Sequence, residues 1–185
     1  RGHMVAVGYS LGGNALLKYL GEDGDRAELN AAVAVCVPLD LQRCADALEV
    51  GFARIYQRHL LKRMKKAIRL KFDPDTNAFD WHRAMRAETF SEFDDAVTAP
   101  LHGYRDKDHY YGSRSSIRFL ADIRRPTLII NSRDDPFMMP DMLPGPEELA
   151  ESVTLELSET GGHVGFISGG WPWRPTHYLP ERALE

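Results

Sequence analysis

A serine flanked by glycines near the start of the chain is the first candidate for chemistry. Ser10 is the centre of Gly-Tyr-Ser-Leu-Gly, between an apolar run and residues that favour a helix. In a tight strand-to-helix turn the hydroxyl is exposed beside a helix amino terminus, where the N–H of Leu11 can donate to an oxyanion. A serine that only caps the helix would be compatible with the same sequence pattern. The strand before it and the helix after it favour the nucleophile.

Two later stretches carry the groups that would activate this serine. A serine hydroxyl needs a base to take its proton, and the base needs an acid that orients it and stabilises its cation. Asp134 and Asp135 directly follow an apolar run, and His163 follows two glycines farther along. The order Ser, Asp, His along the chain is typical of one class of serine hydrolases. The sequence therefore predicts a catalytic triad that includes Ser10 and His163.

The choice of acid and base rests on local context. Asp135 precedes Pro136, which favours an extended backbone continuing the end of the strand, and this mildly favours it over Asp134. One residue of such an acidic pair is usually a solvated turn residue. Of the seven histidines, His163 is the one placed after the acidic loop in a glycine-rich turn, whereas His177 lies farther along. We therefore expect Asp135 and His163.

Composition excludes several other classes of protein. The net charge of −4 over 185 residues gives no global field for nucleic acid. Cys36 and Cys44 are too few for a disulfide framework or a zinc site, and we expect both to be reduced, Cys36 as a small core residue. The predicted chemistry requires no cofactor and no metal. No apolar run reaches the roughly 20 residues of a membrane helix, so a cytoplasmic location is expected.

The elements that position these residues alternate between strand and helix. Short apolar runs around Val5–Tyr9, Ala31–Val37 and Thr127–Asn131 are typical of buried parallel strands, and residues 153–159 alternate like an edge strand. Residues 146–152 favour a helix, and residues 160–170 favour a glycine-rich loop. The sequence predicts an α/β chain with a mostly parallel sheet in residues 1–38 and 112–185, and a helical insertion over residues 39–111. The first strand is of the buried type that needs a neighbouring strand on both sides, and the sequence plainly provides a neighbour on one side.

A basic segment over residues 52–71 belongs to the predicted insertion. It contains eight lysines and arginines and no acid. The residues expected on its packed face are Phe52, Ile55, Tyr56, Leu60, Met64 and Ile68. A packed helix with a solvated basic face is the favoured interpretation, and weak contact with phospholipid headgroups is the alternative. No nucleic-acid-binding module is recognisable.

Five stretches together resemble a known family. They are "GYSLGGN" at residues 8–14, "FDDAVTAPLHGY" at 93–104, "YYGSRSS" at 110–116, "PTLIINSRDDPF" at 126–137 and "GGHVGF" at 161–166. In this combination the chain resembles the α/β-hydrolase superfamily and, within it, the YheT-like group of bacterial hydrolases related to animal abhydrolase-domain lipases. The resemblance implies strands 5 to 8 of that fold, with a helical cap insertion.

The resemblance also implies the chemistry. It assigns the triad to Ser10, Asp135 and His163. It identifies the strand-to-helix turn at Gly8–Gly12 as a nucleophile elbow, and it places the second oxyanion donor in a segment before this elbow that has no counterpart in this chain. We therefore expect the chain to be the carboxyl-terminal part of a longer serine hydrolase. It would cleave short, medium or lipid-like carboxylic esters, which are its small-molecule partners, through an acyl-enzyme. Two alternatives stay open: an acyltransferase with the same triad, and a binding module or inactive fragment.

Overall fold

The computed structural model describes residues 2–171 and 173–183, which form two compact units. The sheet unit comprises Arg1–Asp40 and Ser115–Glu185, and the helical unit comprises Leu41–Arg114. The sheet unit contains β1 (Val5–Tyr9), α1 (Leu11–Asp23), β2 (Ala31–Val35), β3 (Thr127–Ser132), β4 (Val153–Ser158), β5 (Ile167–Trp171), β6 (Arg174–His177) and α8 (Tyr178–Arg182). The helical unit contains α2 (Leu41–Ala47), α3 (Ala53–Lys71), α4 (Trp81–Arg86), α5 (Phe90–Phe93), α6 (Ala99–Leu101) and α7 (Lys107–Arg114).

Four parallel strands form the sheet that positions the site. Their order is β1-β2-β3-β4, with Val5 opposite Ala31, Ala32 opposite Thr127 and Thr127 opposite Val153. The predicted parallel α/β architecture is thus confirmed. Because parallel strands all end at one edge, the segments that follow them meet there.

The two ends of the sheet differ in burial from the two middle strands. Val35, Ile129 and Ile130 of the middle strands are fully buried, whereas Val5 and Val7 of β1 are about half exposed. Within the described residues, β1 is bonded to a neighbour on one side. Strand β1 therefore carries apolar side chains that the described residues around it leave partly exposed.

Leucines of α1 provide the packing on one face of the sheet. Leu17 and Leu20 are fully buried and lie in one core cluster with Leu120 and Ile129. Asn14, also buried, accepts a hydrogen bond from the N–H of Ser116 at 2.9 Å. Helix α1 is therefore held against the sheet by apolar contacts and by a buried polar bond, which together fix its amino terminus.

Two local predictions of secondary structure were wrong. Residues 146–152 form one 3-10 turn, Pro146–Glu148, because the N–H of Ala150 donates to the distant carbonyl of Leu120 rather than continuing a helix. The predicted loop over residues 160–170 ends in β5, which pairs in antiparallel fashion with β6. Glycines at 169 and 170 weaken the strand pattern, and the pairing partner lies outside the stretch.

Helix α3 is rotated relative to the predicted packed face. Its buried residues are Ala53, Gln57, Leu61 and Ile68, so Phe52, Ile55 and Tyr56 were wrongly assigned to that face. The buried Gln57 explains the rotation: its side chain donates to the carbonyl of Leu48 at 3.3 Å and accepts from the N–H of Phe90 at 2.9 Å. Among the described residues, none of the helices is both long and apolar enough to cross a bilayer.

Candidate active site

The turn between β1 and α1 holds Ser10 in a strained backbone conformation. Ser10 has φ 50° and ψ −126°, a region that non-glycine residues rarely adopt. A Cβ atom at Gly8 would lie 2.8 Å from the Gly12 carbonyl oxygen, so position 8 requires glycine. A Cβ atom at Gly12 would meet nothing within 4 Å, whereas one at Gly13 would lie 2.7 Å from Val37. The second crowded glycine is thus Gly13 and not Gly12.

The hydroxyl of Ser10 is directed at a histidine and does not cap the helix. Ser10 is the N-cap residue of α1, yet its side chain makes no capping hydrogen bond. Its Oγ lies 3.1 Å from Nε2 of His163, a residue 153 positions later. Leu11 is the first residue of α1, so its N–H has no carbonyl of its own helix to bind. A free N–H donor therefore stands next to the hydroxyl.

A buried carboxylate holds the other side of the imidazole. Oδ2 of Asp135 lies 2.9 Å from Nδ1 of His163, with the Asp135 side chain fully buried and that of His163 19% exposed. Because a carboxylate can only accept, Nδ1 carries the proton and Nε2 is left as an acceptor for the Ser10 hydroxyl. The other oxygen of Asp135 accepts from the N–H of Phe137 at 2.8 Å, and the Phe137 ring stacks on the imidazole at 4.0 Å.

The neighbouring aspartate has a different partner. Oδ1 of Asp134 accepts from the N–H groups of Gly161 and Gly162, at 2.9 and 2.8 Å. The bond from Gly162 is the main cause that holds the pKa of Asp134 below its usual value. Asp134 is therefore not simply a solvated turn residue: it fixes the loop that carries His163. The two glycines before the histidine supply the N–H groups that need such an acceptor.

Cys36 supports the same loop from the end of β2. Its Sγ accepts from the N–H of Val164 at 3.2 Å, and the thiol lies 3.7 Å from the carbonyl of Gly162. Burial raises the pKa of the Cys36 thiol to about 12, so it stays protonated at neutral pH. The sequence predicted a small core residue at Cys36, but it gave no sign of the contact with the loop that carries His163.

The same neighbourhood contains a group of three side chains that could ligate a metal. Ligand atoms of Cys36, Asp135 and His163 lie within 4.8 Å of one another. A metal would need the thiolate, which burial disfavours, and would have to separate Nδ1 from Oδ2, which are at hydrogen-bond distance. These residues therefore fit an acid-histidine pair better than a metal centre.

Four strand ends thus supply one cluster. Ser10 follows β1, Cys36 follows β2, Asp135 follows β3 and His163 follows β4. Of the predicted residues, His163 lies within hydrogen-bond distance of both Ser10 and Asp135, and Leu11 begins the helix beside Ser10. His177 lies in β6, opposite Ile167 of β5.

Comparison with known proteins gives several relatives. YheT of Escherichia coli (strain K12) is 43% identical over 180 residues, which are 96% of this chain and 53% of that protein. Phospholipase ABHD3 of Mus musculus is 32% identical over 177 residues, covering 94% of this chain and 43% of that one. Monoacylglycerol lipase of Saccharomyces cerevisiae is 31% identical over 170 residues, covering 87% of this chain and 37% of that protein. The chain therefore spans about half the length of these relatives, or less.

A family model agrees with this result and with the observed sheet. The model, described as alpha/beta hydrolase fold, matches residues 1–170. The match includes the elbow, all four parallel strands and the loop that carries His163. Together with the similarity to YheT, it confirms the resemblance seen in the sequence motifs. This chain belongs to the alpha/beta hydrolase fold family.

Proposed function

We propose that this chain carries the triad of a serine hydrolase that cleaves carboxylic esters through an acyl-enzyme. The observation that carries the proposal is the continuous series of hydrogen bonds from Ser10 through His163 to the buried Asp135. The family and the names of the relatives, which include phospholipase and monoacylglycerol lipase, support hydrolysis as the reaction class.

The first half-reaction transfers the acyl group to the serine. His163 Nε2 takes the hydroxyl proton as Ser10 Oγ bonds to the ester carbonyl carbon, and the carbonyl oxygen becomes an oxyanion. The N–H of Leu11 donates to this oxyanion. The resemblance assigns a second donor to a segment before the elbow, and one donor is typically worth about 100- to 1,000-fold in rate. The C–O bond then breaks, and the alcohol leaves with the proton from Nε2.

The second half-reaction releases the acid. His163 takes a proton from water as the water oxygen attacks the acyl carbon, and the bond to Ser10 Oγ breaks as Nε2 returns the proton to it. Throughout, Asp135 stabilises the imidazolium and keeps Nδ1 protonated. If an alcohol replaces water as the acceptor, the same steps give acyl transfer.

We propose lipid-like acyl esters as the substrate class. Two relatives have names that denote enzymes of lipid esters, and this is the support for the assignment. Hydrolysis of a series of p-nitrophenyl esters of increasing acyl length, and of a monoacylglycerol, measures the preference. Adding a short alcohol and following the formation of a new ester separates hydrolysis from acyl transfer.

Labelling of the full-length protein by a fluorophosphonate tests the nucleophile. We expect one covalent adduct at Ser10, no adduct in Ser10→Ala, and normal labelling in Ser113→Ala, which removes a hydroxyl from α7 of the helical unit. A fluorophosphonate needs the activated serine but not the natural substrate. A folded full-length protein that stays unlabelled would contradict the hydrolase and favour a non-catalytic binding module.

A further inference from the structure

The outward face of α3 combines exposed apolar residues with cations. Phe52, Ile55 and Leu70 are 85%, 61% and 77% exposed, and Lys62 and Lys66 lie between them along the helix. Positions 52, 55, 59, 62, 66 and 70 recur every three or four residues and therefore share one side of the helix. We call these six positions the outer face of α3. It lies opposite the buried stripe that begins at Ala53.

In the described residues, Lys62 and Lys66 differ from several other cations of the helical unit in having no acidic partner. Arg83 pairs with Asp95 at 2.8 Å and Lys107 pairs with Asp108 at 2.5 Å. In the described part of the chain, Lys62 and Lys66 are in no ion pair, and α3 itself contains no acid. Their charge is therefore available to an external anion.

A cavity beside the outer face adds further cations. It has a volume of about 510 Å³ and lies entirely within the helical unit. Its basic lining residues are Arg54, Arg58, Lys62, Lys65 and Arg69, against the acids Glu49 and Glu88. Lys65 is already occupied, because its ammonium donates to the carbonyls of Met85 and Ala87 at 2.9 and 2.6 Å. The remaining cations form a concave basic surface of a size that accepts a phosphate-bearing headgroup.

We infer that the outer face of α3 docks on a bilayer that contains anionic phospholipid. Exposed Phe52 and Ile55 would enter the headgroup boundary, while Lys62 and Lys66 would contact lipid phosphates. The combination of apolar and cationic residues on one exposed helical face argues for a bilayer over RNA, which would need stacking or groove-reading groups. A second copy docked symmetrically would bring the same cations together, which Coulomb repulsion opposes. The inference does not depend on Ser10.

Co-sedimentation of the full-length protein with vesicles tests the inference. We expect binding to phosphatidylcholine vesicles that contain phosphatidylglycerol, at least about tenfold weaker binding to phosphatidylcholine alone, and loss of the difference at high salt. Lys62→Glu with Lys66→Glu should weaken binding by at least about tenfold. Phe52→Ser with Ile55→Ser should weaken binding to anionic vesicles while leaving the salt dependence in place.

A matched control distinguishes an effect of the outer face of α3 from an effect of net charge. Arg26→Glu with Arg118→Glu makes the same change of net charge in the sheet unit, and binding should stay within about twofold of the parent. Equal binding to both vesicle types, or an equal loss in the control variant, would overturn the inference. So would RNA that displaces the protein from vesicles through Lys62 and Lys66, or a dimer that Phe52→Ser dissociates. Esterase activity is measured separately, so a failure of the triad does not affect the result.

Discussion

The two units of this chain differ in where they use unusual backbone conformations. In the sheet unit, the non-glycine residues Ser10, Cys36, Val164 and Phe166 have positive φ, between 45° and 67°. In the described residues of the helical unit, positive φ occurs at Gly51 and Gly103. Strained backbone is thus concentrated at one edge of the sheet, where polar side chains must be aimed at one another. The helical unit consists of α-helices and one π-helical segment, Asp94–Thr98, and its distinctive feature is the composition of a surface.

One carboxylate in each unit has a shifted pKa, and the two shifts have opposite directions. Asp134 accepts from the N–H of Gly162 in a loop, which lowers its pKa. Asp94 of the helical unit is partly buried and accepts from the hydroxyls of Thr98 and Tyr111, at 2.5 and 2.7 Å, and desolvation of the carboxylate raises its pKa. In the first arrangement hydrogen bonds favour the charged carboxylate, whereas in the second desolvation disfavours it and outweighs the two hydroxyl bonds.

The largest expected effect would separate the two adjacent aspartates. Asp135→Asn should lower kcat about 10⁴-fold, because the amide can donate to Nδ1 and stabilise the wrong tautomer of His163. Asp134→Asn keeps an oxygen acceptor for Gly161 and Gly162, so its activity should fall by no more than about tenfold. Steady-state kinetics of both variants in the full-length protein gives the comparison. An inactive Asp134→Asn beside an active Asp135→Asn would reverse the assignment of the acid.

A smaller effect is expected from the glycines of the elbow. Gly8→Ala should destabilise the protein by about 1–3 kcal/mol, because its Cβ would overlap the backbone of Gly12 and Gly13. Gly12→Ala meets open space in α1 and should leave stability unchanged or raise it by up to about 1 kcal/mol. Urea unfolding of the pair measures the difference. Equal destabilisation by both changes would show that the crowding at Gly8 does not decide the turn.

The smallest expected effect concerns Asp94 and pH. Its folded-state pKa is raised above the usual value of 3.8. The stability linked to its protonation is therefore full below 3.8 and is lost as the pH rises through the folded-state pKa. Asp94→Asn removes this loss, so the stability of the variant relative to the parent should rise as the pH rises toward 7. Denaturation of parent and variant from pH 4 to pH 7 measures the change, and a constant difference across that range would contradict it.

Local sequence was informative where one short segment contains a whole structural unit. The strand, turn and helix around Ser10 occupy consecutive residues, so the elbow could be predicted without knowledge of the rest of the chain. The packed face of α3 could not be predicted in this way. Gln57 is buried because it bonds to Leu48 and Phe90, and the spacing of apolar residues along the helix gives no sign of these bonds. The pairing of β5 with β6 was missed for a similar reason: glycines hide the strand pattern, and only the partner reveals it.

By itself, the sequence determined the α/β class, the family and the identity of Ser10, Asp135 and His163 as candidates, because residue types and chain order carry that information. Tertiary structure decided the rest: that Asp135 faces the imidazole while Asp134 binds the glycines before it, and that Ile55 and Phe52 face outward. The contacts that assemble the triad join residues 28 and 153 positions apart. Such distances are closed by the parallel sheet, whose strand ends bring separate loops to one edge.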